Sequence, residues 1–252
     1  MSFCKHCVSG VVHEGTATGK IEKINGIETY IATPEKDYPK QKAVLYFTDI
    51  FGIQLNNAKL ICDSFASNGF QASRRNQIET GSPIDSCFQR CSFDLMRDWA
   101  PRHGAAQTRP HIDSFLKGLL ERGVSEYAVV GYCYGARYAF DLAIENFPGL
   151  KAIAVAHPSL LKVPEDHHAL MEKSKVPVLM NTCEDDYMYP VEKQKKGDEI
   201  LGDGKYAPGY LRTYWPGCTH GFAVRGDLSK PEVKAGKEGA FKATVDWFLK
   251  YL

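Results

Sequence analysis

The stretch Val129-Val130-Gly131-Tyr132-Cys133-Tyr134-Gly135-Ala136 constrains this chain more than any other. An apolar run, Tyr127 to Val130, stops at a glycine. A nucleophilic side chain then stands between two tyrosines, a second glycine follows, and a helix-like pattern begins. This is the strand–turn–helix elbow G-x-Nuc-x-G, with cysteine where serine is usual. The glycines have a steric purpose. Such a turn strains the backbone of its nucleophile and draws neighbouring chains so close that a Cβ on either side would clash. The competing reading is a structural cysteine at a helix start, since buried thiols are common. The rest of the chain decides between them.

Short apolar runs alternate with helical patterns. Ile21–Ile24 and Ile27–Ile31 flank Asn25-Gly26, a dipeptide suited to a type I′ hairpin turn. Ala43 to Thr48 reads as a strand buried on both faces, with Asp49 at its C-terminal end. Asn56 to Gly69 and His111 to Arg122 carry apolar residues at helical spacing. Phe70 to Gln77 stands where a buried strand is due but is unusually polar, and Asp85 to Ala105 is mixed. After the elbow, a helix is predicted from Tyr134 to Asn146. Strands follow at Ala152–Ala156, Val176–Thr182 and Leu211–Trp215, with a helix at Val191–Leu201 and a closing amphipathic helix through Phe241 and Phe248. The alternation predicts an α/β fold: a doubly wound, mostly parallel sheet with helices on both faces and an N-terminal β-hairpin. No linker divides it, so residues 1–252 read as a single domain, with 1–14 as an irregular leading segment.

With 252 residues, 44% of them apolar, the chain can bury a substantial core. A net charge of +1 announces neither nucleic acid nor an anionic membrane surface. No apolar run approaches membrane-spanning length, and the first residues lack the apolar core of an export signal, so a cytoplasmic protein is expected. Eight cysteines in a chain of this length do not make a disulfide framework, and a reducing compartment accounts for them more simply. Cys4 and Cys7 form a C-x-x-C near His6 and His13, but no second pair at zinc spacing follows, so no metal or cofactor is expected.

Three reactive groups stand at the C-terminal ends of predicted strands: Cys133, the Asp185/Asp186 pair, and His220. Their order is nucleophile, acid, histidine, the order of the α/β-hydrolase fold. An imidazole can take the proton of a thiol, and a carboxylate on the far ring nitrogen holds the tautomer and stabilises the imidazolium. A helix N-terminus at Cys133 would favour thiolate. Each residue alone has an ordinary structural explanation, whereas the ordered set behind an elbow favours catalysis.

From about Gly15 to its C-terminus the chain resembles the dienelactone hydrolase family of α/β-hydrolases. The likeness rests on Thr48-Asp49-Ile50-Phe51-Gly52, Gly131-Tyr132-Cys133-Tyr134-Gly135-Ala136, Asp186-Tyr187-Met188-Tyr189-Pro190 and His220-Gly221-Phe222. The resemblance implies Cys133 as nucleophile, His220 as general base and then acid, and Asp186, rather than Asp185, as the orienting carboxylate. Asp49 falls where the family uses a carboxylate, usually the longer Glu, to hold the resting cysteine. The backbone N–H groups of Ile50 and Tyr134 would form the oxyanion hole. Family members that open dienelactone hold its carboxylate with arginines, for which Arg225, Arg74 and Arg75 are candidates here. His157 sits at a strand end near the site, where capping or lining the pocket is expected.

The function expected is hydrolysis of a lactone or small activated ester through a thioester on Cys133, with a small-molecule substrate and neither nucleic acid nor membrane as partner. Two alternatives stay open: a broader carboxylesterase or thioesterase, and a non-catalytic redox-sensing or binding protein on a hydrolase scaffold. The sequence carries no signal for oligomeric state.

Overall fold

A computed structural model of the chain describes residues 15–75 and 100–252. The leading segment with Cys4 and Cys7, and the part of the mixed stretch from Asp85 up to Trp99, lie outside the described residues. The strands are β1 (Lys20–Ile24), β2 (Ile27–Ala32), β3 (Lys42–Phe47), β4 (Ala72–Arg75), β5 (Glu126–Tyr132), β6 (Leu150–Ala156), β7 (Val178–Asp185) and β8 (Tyr210–Thr219). They form one sheet in the order β1-β2-β4-β3-β5-β6-β7-β8. The hairpin β1–β2 and the β2–β4 pair are antiparallel, and every other neighbouring pair is parallel. Asn25 and Gly26 both have positive φ, +46° and +81°, as a type I′ turn requires.

The helices are α1 (Asn56–Ser67), α2 (Ala105–Glu121), α3 (Tyr134–Ile144), α4 (Glu165–Lys173), α5 (Val191–Leu201), the single turn α6 (Phe222–Arg225) and α7 (Pro231–Tyr251). Period-two alternation in the strands sorts their side chains into two cores. Leu45, Phe47, Val129 and Ile153 pack with residues of α2 and α3 on one face. Val44, Tyr46, Val130 and Ala154 pack with residues of α1 and α7 on the other. A sheet covered on both faces explains why its central strands read as continuous apolar runs.

Several elements sharpen or depart from the sequence reading, among them the unanticipated single turn α6 and a β8 that runs on to Thr219. The polar stretch after Gly69 does form a strand, β4, inside the sheet. Its backbone pairs with β2 on one side and β3 on the other, and its buried positions are filled by the small Ala72 and Ser73. Helix α2 begins six residues before His111, with Pro110 inside it. Its first turns are mostly turned to solvent and so carry little apolar periodicity. Helix α4 was not anticipated, because it buries only His167 and Leu170.

Chain direction locates the functional edge. Successive crossovers from β3 lead to β4 on one side and, later, to β5 on the other. In open parallel sheets such a reversal leaves a crevice at the C-terminal strand ends. Asp49 follows β3 and Cys133 follows β5, so both stand at that crevice.

Candidate active site

The elbow is built by close approach. Cys133 has φ +49° and ψ −109°, a backbone conformation that non-glycine residues rarely adopt. A Cβ on Gly135 would stand 2.3 Å from the Phe47 carbonyl oxygen, and one on Gly131 would stand 2.8 Å from Ala136 Cα. Glycine at 135 lets the turn nest against β3, and glycine at 131 lets the end of β5 meet the first turn of the following helix. The strained residue is fixed through its backbone: the Cys133 N–H donates to the Ala156 carbonyl at 3.1 Å, and its carbonyl accepts from the Ser159 N–H at 3.0 Å. The side chain is buried at the N-terminus of α3, with Sγ 3.3 Å from Ser159 Oγ.

His220 follows β8. Its backbone N–H donates to the Asp185 carbonyl at 3.0 Å, and its Nδ1 stands 2.8 Å from Asp186 Oδ1. The same carboxylate oxygen accepts from the backbone N–H groups of Met188, at 3.0 Å, and Tyr189, at 3.1 Å. Asp186 is buried whereas Asp185 is exposed, so position 186 supplies the carboxylate that meets the imidazole. A ring nitrogen of His220 and one of His157 lie within 4.8 Å of Cys133 Sγ and of each other. Cys133, Asp186 and His220 are thus brought together, each almost completely buried.

Asp49 and Arg225 form a second buried pair beside them, Oδ2 to Nη1 at 3.5 Å. Asp49 Oδ1 also accepts from the Phe51 N–H at 3.1 Å, and the guanidinium lies 4.8 Å from the centre of the Phe51 ring. Gly221 makes room for this cation: its φ is +94°, and a Cβ there would stand 2.7 Å from an Arg225 nitrogen. Ile50 and Tyr134, the two candidate oxyanion donors, are buried after β3 and at the start of α3. Arg74 and Arg75 continue the backbone of β4, opposite Tyr30 and Thr29 of β2, and their side chains lie outside the described residues.

His157 stands closer to the centre than its expected lining role required. It follows β6 with φ +38°, its ring is fully buried, and it meets the His220 ring edge-on at 5.0 Å between centroids. Burial, with His220 and Arg225 as further causes, holds its pKa well below the usual histidine range, so the ring is neutral. Ser159 was missed altogether. The available signal was His157-Pro158-Ser159 following a strand adjacent to the elbow strand, which puts both polar side chains at the same sheet edge.

A family model described as "Dienelactone hydrolase family" matches residues 27–252. Hydrolase pyvD of Aspergillus violaceofuscus is 33% identical, covering 98% of this chain and 96% of that protein. Dienlactone hydrolase 1 of Gibberella moniliformis is 28% identical over 96% and 91% of the two chains. A carboxymethylenebutenolidase homolog of Xenopus tropicalis is 27% identical over 98% and 96%. Among solved structures, one from Klebsiella pneumoniae assigned as a dienelactone hydrolase superposes with a TM-score of 0.74 at 17% identity, covering 93% of this chain and 99% of that one. At that identity the superposition speaks to fold alone. Among the described residues no helix is long and apolar enough to cross a membrane.

Proposed function

This chain belongs to the dienelactone hydrolase family of ester-hydrolysing enzymes, and on that footing we propose that it cleaves a lactone or small activated ester through a thioester on Cys133. The observation that carries this reading is the pair His220–Asp186 at 2.8 Å, with Cys133 Sγ within 4.8 Å of a His220 ring nitrogen. With Nδ1 turned to Asp186, Nε2 is the nitrogen that serves as base. It takes the thiol proton as sulfur attacks the carbonyl carbon. The C–S bond forms and the carbonyl becomes an oxyanion, stabilised by the backbone N–H groups of Tyr134 and Ile50. As the oxyanion collapses, the ester C–O bond breaks and the leaving alkoxide takes the proton from His220. Water, deprotonated by the same imidazole, then attacks the thioester and restores the thiol. Asp186 holds the tautomer throughout and stabilises the imidazolium.

Acid-quenched turnover of an aryl ester tests this directly. Mass spectrometry should find the acyl group on the peptide containing Cys133, in a linkage cleaved by hydroxylamine. An acyl group on Ser159, the neighbouring hydroxyl, would refute the thiol mechanism.

The choice between a lactone hydrolase for anionic substrates and a broader carboxylesterase turns on Arg225. Its buried guanidinium beside Phe51 is a cation that a substrate carboxylate could share with Asp49. Arg225→Met should raise KM for a carboxylate-bearing lactone about 10- to 100-fold, the worth of a charge-assisted hydrogen bond. KM for neutral aryl esters should change little. Equal effects on both substrates would favour the broader esterase.

A further inference from the structure

The proposed hydrolysis leaves His157 unused. Its ring is fully buried, and among the described residues neither ring nitrogen has a well-formed hydrogen bond to another residue. An unsatisfied buried polar group costs about 1–3 kcal/mol, so a residue needed only to fill space would be better apolar. The surroundings are in fact aromatic: Tyr132 and Phe222 flank the imidazole at 5.9 and 5.7 Å. Yet its nitrogens belong to a compact donor set with Cys133 Sγ and a His220 nitrogen, all within 4.8 Å of one another.

We propose that Cys133, His157 and His220 form a three-ligand site for a soft divalent cation of the zinc class, whose binding silences hydrolysis. One thiolate and two neutral imidazoles suit that ion, and three protein ligands leave a fourth, open position for water. Bonds of about 2.0–2.3 Å place tetrahedral ligand atoms roughly 3.3–3.8 Å apart, so small rotations of the side chains close the site. Asp186 stands 2.8 Å from His220 Nδ1, as an outer carboxylate does when it orients a metal-bound imidazole. Ser159 Oγ, 3.3 Å from the sulfur, can donate to a coordinated thiolate. The thiolate and Asp186 balance the charge of the ion, and the nearby Arg225 is offset by Asp49. Binding forms a metal–sulfur bond and releases the thiol proton to solvent, with no change of oxidation state. The sulfur lone pair that would attack the substrate is then held by the metal. The loss of activity rests on the thioester reading; the site itself does not.

Cobalt(II) titration of the full chain tests the site without reference to turnover. Wild type should develop tetrahedral visible bands and a near-ultraviolet thiolate-to-cobalt band, both displaced by zinc. Cys133→Ala should abolish the thiolate band, and His157→Phe should weaken cobalt affinity at least about 100-fold, more than loss of an outer contact would. His157→Asn, a smaller polar replacement, gives the same reading if the phenylalanine variant fails to fold. Cys4→Ser/Cys7→Ser should keep the bands. Absence of the bands in wild type, or their persistence at full strength without Cys133 or His157, overturns the site. On the same preparation, equimolar zinc should abolish ester turnover in wild type and spare the His157 variants, each judged against its own metal-free rate. Zinc-insensitive wild-type turnover overturns the inhibition. A protein that shows the bands but cleaves no ester would refute the hydrolase reading and leave the metal site standing.

Discussion

Cys133→Ala should lower kcat/KM for an ester or lactone by at least about 10⁴-fold, equivalent to about 5.4 kcal/mol of transition-state stabilisation. The expected loss follows from the roles proposed for the residues at the crevice. Without sulfur no thioester forms, and His220 has no nucleophile to deprotonate, so the imidazole and the oxyanion donors can only assist direct attack by water. Stability should barely respond. The exchange removes one small atom from a residue whose strained backbone is held by the Ala156 carbonyl and the Ser159 N–H, and both contacts survive. A thermal melt alongside initial rates checks both halves. Rates within a few-fold of wild type on a broad panel of esters and lactones would sink the covalent mechanism.

The second large effect separates two adjacent carboxylates. Asp186→Asn should lower kcat by about 10³- to 10⁴-fold, because an amide cannot stabilise the imidazolium and can donate to Nδ1, which favours the wrong tautomer. The shape of the site should persist, since the amide oxygen can still accept from the Met188 and Tyr189 N–H groups. Asp185→Asn should leave kcat within about twofold, in keeping with an exposed substitution. The contribution of Asp185 to the site is its backbone carbonyl, which accepts from the His220 N–H and is unchanged by the substitution. Steady-state rates of the two variants decide it. If Asp185→Asn proved the more damaging, the assignment of the orienting acid would be reversed.

The legible parts of this protein were those whose signals are local. The elbow announced itself because its steric demand falls on residues two positions either side of Cys133, where only glycine avoids Phe47 and Ala136. The hairpin was legible because a type I′ turn needs positive φ at Asn25 and Gly26. The central strands were legible because burial on both faces gives each a continuous apolar run, such as Ala43–Phe47 and Ala152–Ala156. Signals failed where stability comes from partners distant in sequence. Strand β4 is held by two neighbours rather than by apolar residues of its own, and α4 presents too small a buried face to leave a periodic pattern.

The site divides in the same way. Residue type and chain order singled out Cys133, the Asp185/Asp186 pair and His220 as candidates for nucleophile, acid and base at strand ends, because each chemical role restricts the side chain that can fill it, and the family resemblance pointed to Asp186 within the pair. Contact is another matter, since it depends on which strands are neighbours. Adjacency of β5 and β6 sets Ser159 and His157 beside Cys133, and adjacency of β7 and β8 carries His220 to Asp186. The fold also joins Asp49 to Arg225 across most of the chain. Local sterics write themselves into the residues that suffer them. Long-range pairing is recorded in no single segment, because it arises from the order in which the sheet is assembled.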